Sequence, residues 1–122
     1  MRISNNDDGI YRQLQIQLDR YPIGYPATKS GVEIDLLKYF FTPLEAKIAL
    51  CLTLRSISLT PIRRRLKGQF HIDLSPEEMS ALLDKMFQKG VIRRSESAGS
   101  FHYSIAMLAI GMFEYHVDDL TP

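Results

Sequence analysis

The residues best suited to do chemistry in this chain are its cations. Arg55, Arg63, Arg64, Arg65 and Lys67 occur with no Asp or Glu between Arg55 and Phe70. Such a basic run contacts phosphates or docks an acidic partner protein; its competing reading is a solvated helix face. Arg93 and Arg94 are placed to extend it. The expected nucleic-acid or acidic-partner site is therefore Arg63, Arg64, Lys67, Arg93 and Arg94.

Other reactive residue types are poorly arranged for catalysis. Cys51 is the only cysteine and lies among Ile48, Leu50, Leu52 and Leu54, which suits a buried, inert thiol. His71 falls in a linker, His102 is expected to point outward from a strand, and His116 lies beside Asp118 and Asp119. No His-x-x-x-His or Cys-x-x-Cys spacing unites them, so no metal site is expected. There is no Gly-rich phosphate loop and no Gly-x-Ser-x-Gly elbow. Glu33, Glu45 and Glu78 each stand three residues after a Ser or Thr, where a glutamate caps a helix. No catalytic residue is nominated, and a non-enzymatic chain is expected.

Composition narrows the classes further. The chain has 122 residues, 45% hydrophobic and 24% charged, which suits one globular domain with a core. Its 15 Lys and Arg against 14 Asp and Glu give a net charge of +1, so any attraction for polyanions must be local. The apolar stretch from Ile48 to Leu54 is far short of the roughly 20 residues that span a bilayer. The opening MRISNNDDG lacks a secretory apolar region, which leads us to expect a cytoplasmic protein without membrane contact.

The elements that must position these residues are signalled locally. Ile10, Leu14, Leu18 and Tyr21 share one face of a leading helix, with Asp7 and Asp8 as its expected caps. Pro22 and Pro26 then force an extended run. Ser30 and Glu33 suggest a capping box for a short helix that buries Ile34, Leu37 and Phe41. Thr42, Pro43 and Glu45 open a helix with Leu44, Ile48, Cys51 and Leu52 inward. With Ala49, Leu50 and Leu54 also apolar, it is the expected central helix, covered on more than one side.

Thr60 and Pro61 begin the next helix, with Ile62, Leu66 and Phe70 inward, Arg64 and Lys67 outward and Gly68 as its expected end. Ser75, Pro76 and Glu78 start another, along which Met79, Leu82, Leu83, Met86 and Phe87 follow at helical steps and which stops at Gly90. VIRRSES and FHYSIA read as two strands joined by a turn over Ser97 to Ser100. Ile110, Phe113, Val117 and Leu120 fit a closing helix.

Three helices followed by a hairpin is the order of a winged helix-turn-helix domain. The expected fold is thus mainly α with a small β-hairpin: a winged-helix core over 42–106, an N-terminal helical extension over 1–41 and a C-terminal helix over 107–122. The helix from Ser75 to Lys89 takes the recognition position. Its outward side, with Glu77, Ala81, Asp84, Lys85 and Gln88, is mildly acidic, and the tip from Ser95 to Ser100 carries Glu96 but no cation. Neither suits a phosphate-lined groove.

The segments YPIGYPATKSGVEIDLLKYFFTPLEAKIAL and AIGMFEYHVD resemble the amino-terminal region of a bacterial and archaeal family of ferredoxin-type iron-sulfur proteins, over roughly residues 10 to 120. Pro22, Gly24, Pro26, Thr28, Gly31, Val32, Glu33, Thr42 and Pro43 match the family's pattern, as do Gly111 and Glu114. The resemblance implies a winged-helix-like module placed before a domain whose cysteine runs hold two 4Fe-4S clusters. This chain lacks those cysteines, so it is expected to hold no cofactor, as a front module or as a cluster-free relative. The leading expectation is a protein-interaction module whose partner is its own C-terminal cluster domain or another protein. A winged-helix DNA-binding regulator is the alternative, and a homodimer built through the terminal helices is compatible with both.

Overall fold

The computed structural model describes residues 3–21 and 24–106. Among them are five helices and one two-stranded antiparallel sheet. The expected closing helix, with His116, Gly111 and Glu114, lies outside the described residues.

The first helix, α1 (Ile3–Asp19), begins earlier than its acidic pair suggests, which places Asp7 and Asp8 within it rather than at its start. Its inner face buries Tyr11, Leu14 and Leu18, while Ile10 and Tyr21 are half-buried against the core. Tyr11 pays no polar penalty for burial, because its hydroxyl donates to the Phe41 carbonyl at 2.6 Å.

The second helix, α2 (Val32–Phe40), corrects the expected capping box. Its N-cap is Gly31, in the left-handed region at φ 77°, and no side chain caps it. Glu33 turns instead to Thr28, whose N–H and hydroxyl donate to Glu33 Oε1 at 3.1 and 2.6 Å.

α3 (Pro43–Leu50) and α5 (Pro76–Lys89) start as expected, with reciprocal capping boxes at Thr42 and Glu45 and at Ser75 and Glu78. α3 packs on α1 and on α4 (Leu59–Phe70) and buries Ala46, Ile48 and Ala49, with Cys51 and Leu52 just beyond it. Leu54 departs from the expectation: it is exposed, because the chain has already left the helix. α4 also runs past Gly68. It closes at His71, which adopts the left-handed conformation at φ 59° and donates its N–H to the Lys67 carbonyl. α5 buries Met79, Leu83 and Met86 and stops at Gly90, φ 83°.

β1 (Ile92–Ser97) and β2 (Ser100–Ile105) pair with Arg94 opposite Tyr103 and Ser97 opposite Ser100. The turn is two residues, Ala98 and Gly99, both at positive φ, which matches the twist of the strands. A further backbone bridge was not apparent in the sequence. Ile57 and Tyr103 exchange hydrogen bonds at 2.9 and 2.8 Å, and the Ile105 N–H donates to the Thr53 carbonyl. β2 therefore lies between β1 and the segment that joins α3 to α4. No helix among the described residues is long and apolar enough to cross a membrane.

Candidate functional site

The five expected site residues fall into two sets, on α4 and on the hairpin, and three of the five lie against carboxylates. On α4, the Arg63 Nε donates to the Leu74 carbonyl at 2.8 Å, and Asp73 lies 4.0 Å from Arg63 and 3.6 Å from Lys67. The run that carries no acid in sequence thus meets one in space, because the linker after α4 brings Asp73 back. On the hairpin, Arg94 pairs with Asp84 of α5 at 2.9 Å. Its guanidinium stands 4.2 Å from the ring centre of Phe87 and 4.3 Å from that of Phe101. Arg64 and Arg93 are exposed and make no ion pair among the described residues.

Arg94 forms one wall of a shallow groove of about 610 Å³ between α5 and the hairpin. Leu59, Pro76 and Phe101, the last 45% exposed, give it apolar sides, and Glu77 and Asp84 give it carboxylates. Tyr103 forms a buried part of the lining. Burial pushes its phenol above the ordinary value; Arg94 and Ser80 oppose the rise and Asp84 adds to it. The groove is amphipathic, and its guanidinium is already neutralised by Asp84.

A second hollow escaped sequence reasoning, because α1, α3 and α4 contribute to it from distant parts of the chain. Two adjoining cavities of about 360 and 320 Å³ share Gln17, Arg20, Leu50 and Gln69. Gln13 and Ile16 extend one of them and Arg65 the other. Among the described residues, no carboxylate lines either cavity. At the end of α3, Arg65 donates to the Cys51 carbonyl at 3.0 Å and Gln17 to the Leu52 carbonyl at 3.1 Å. These contacts give partners to the carbonyls at and just beyond the helix cap and hold both side chains in place.

The motif that carries the family resemblance does structural work. Glu33, 1% exposed, accepts from Thr28 and from Arg12 at 3.1 Å. Burial pushes its carboxyl upward, but bonds from Thr28, its own N–H and Arg12 outweigh burial and hold it below the ordinary value. Tyr25 is anchored at three points: Asp19 accepts its N–H at 2.9 Å, the Gln15 amide donates to its carbonyl at 2.8 Å, and its hydroxyl donates to the Glu33 carbonyl at 3.0 Å. Gly24, at φ 80°, sits where an added Cβ would come within 3.2 Å of the Asp19 carboxylate.

Cys51 is 1% exposed, and burial pushes its thiol up to about 11 against the opposing effect of Arg65. An iron-sulfur cluster needs several accessible thiolates, so this chain's lone buried cysteine does not fit one. His102 is half-buried, against the expected outward position, and its Nδ1 has no hydrogen-bond partner among the described residues. No three His, Cys, Asp or Glu residues among the described residues are grouped to hold a metal ion. Comparison with known proteins gives no matching family model, no matching curated protein and no matching solved structure.

Proposed function

We propose that the chain is a winged-helix module that binds a protein partner and performs no chemistry of its own. The order α3, α4, α5, β1, β2 supports the winged-helix assignment, and the Ile57–Tyr103 bridge on the outer edge of β2 accords with it. The motif resemblance described above favours a ferredoxin-type cluster domain as the partner. α5 then stands in the recognition position, and the groove beside the hairpin is the docking face.

The observation that carries the protein-binding reading is the pairing of Arg94 with Asp84. A helix that enters a major groove approaches two phosphate strands, where unpaired carboxylates repel and free guanidinium groups attract. Here the groove's guanidinium is neutralised and stacked between two rings, while Glu77 remains exposed at the rim. Apolar walls with a polar rim suit a protein surface better.

Arg64 and Arg93, exposed and without ion pairs among the described residues, favour the DNA-binding alternative. Titration of the chain with a labelled duplex library separates the two. The protein-binding reading expects only weak, sequence-independent association, and replacement of Arg63, Arg64 and Lys67 by Ala should change a specific affinity by nothing. A sequence-selective Kd of about 10⁻⁸ M or tighter at physiological salt, lost in that triple variant, would establish the regulator instead. Iron and sulfide content of the natural gene product, purified without air, tests the cluster-domain partner.

A further inference from the structure

We infer that the hollow between α1 and the α3–α4 segment binds an acidic, amphipathic segment of a partner protein. This rests on the protein-binding reading but not on the α5 groove, with which the hollow shares no lining residue.

Three properties of the hollow define that ligand. First, its charge is uncompensated: Arg20 and Arg65 line it, no carboxylate does, and neither arginine makes an ion pair among the described residues. Arg12, Arg63 and Arg94, by contrast, all have carboxylate partners. Second, Arg65 is held before any ligand arrives. One of its nitrogens is used on the Cys51 carbonyl, leaving the rest of its five N–H donors for an incoming carboxylate. A guanidinium already fixed loses less side-chain freedom on binding. Third, the remaining lining combines amides with apolar surface: Gln13 and Gln69 are exposed, Ile16 is 46% exposed and Leu50 half-buried. Glutamine amides donate and accept, as a peptide backbone does, and the two aliphatic side chains offer a seat for an apolar residue.

This mixture argues against a nucleic-acid backbone. Duplex binding depends on many phosphate contacts, whereas two guanidinium groups line this hollow. A carboxylate-bearing segment with interleaved apolar side chains matches both halves of the lining.

The test is an NMR titration of the full, isotope-labelled chain with a synthetic peptide of about fifteen residues, long enough to favour a helix, carrying Glu and Leu at helical spacing. Expected are shifts at the side-chain N–H groups of Arg20, Arg65, Gln13 and Gln69. Arg20→Glu should weaken binding at least about fivefold, and Arg20→Gln less. Lys29→Glu, the same charge change at an exposed residue that lines neither the hollow nor the α5 groove, should leave affinity within about twofold. The inference is overturned if Lys29→Glu weakens binding as much as Arg20→Glu, if the shifts fall only along the α5 groove, or if about 1 mM peptide produces none. It is equally overturned if a duplex of matched charge shifts the same residues more strongly than the peptide. Loss of peptide binding with unchanged docking at the α5 groove would reject this site and leave the module's proposed function standing.

Discussion

Glu33 receives two hydrogen bonds from one residue, Thr28, through its backbone N–H and its hydroxyl. That pair closes the loop before α2, and Arg12 ties the same carboxylate to α1. Replacement of Glu33 by Gln removes the ion pair and sets an amide against a donor, at an expected cost of about 1–3 kcal/mol at neutral pH. The folded carboxyl titrates below its ordinary value of 4.5. Its contribution is therefore fully present above that pH and is lost as pH falls through the folded value. Urea midpoints at about pH 7 and about pH 3 should show wild type and Glu33→Gln converging in acid.

Lys89, the last residue of α5, lies against the carboxylate of Glu45 in the first turn of α3. Glu45 is 1% exposed, so Lys89→Met should leave a buried charge whose remaining partner is the capping N–H of Thr42. The expected loss is about 1–3 kcal/mol by chemical denaturation. In the double variant with Glu45→Gln, the two losses should add to less than their sum.

Cys51 offers a probe of opening. A buried thiol raised to about 11 is almost wholly protonated at neutral pH, and alkylation needs an accessible thiolate. Iodoacetamide should leave the native chain unmodified by intact mass and label it stoichiometrically in denaturant. Rapid labelling of the native chain would contradict the burial.

Ala98 holds φ at 53°, a conformation that strains a residue with a Cβ, while the adjacent Gly99 is at ease at 79°. Ala98→Asn should stabilise the hairpin by about 0.5–1 kcal/mol, because Asn followed by Gly favours this turn. Thermal unfolding should record the gain as a higher Tm.

Legibility from the sequence followed the range of each interaction. Thr42 with Glu45 and Ser75 with Glu78 are contacts across three residues, and both formed as their spacing suggests. Ser30 with Glu33 has the same spacing, yet Glu33 found a better partner in Thr28 once Gly31 took the cap position. Helix α4 ended on His71 because its C-terminal turn closed there, three residues past the glycine that seemed to stop it. The cations were legible as residue types but their partners were not: Asp73 and Asp84 reach Lys67 and Arg94 only through the folded path of the chain. Neither the Ile57–Tyr103 bridge nor the hollow beside Arg20 has a local signature, since each joins segments far apart in sequence.

The clasp of Tyr103 by Ile57 makes the hairpin a cantilever. Its root is held on both edges of β2, and three residue pairs, from Ser95 and His102 to Ser97 and Ser100, project beyond the clamp. Added residues at Ala98 and Gly99 would lengthen the arm without entering the core, so the tip is the natural position for a grafted label or epitope. Force applied there would act along β1 on Arg94, making the stack with Phe87 and Phe101 the fulcrum at which the arm meets α5.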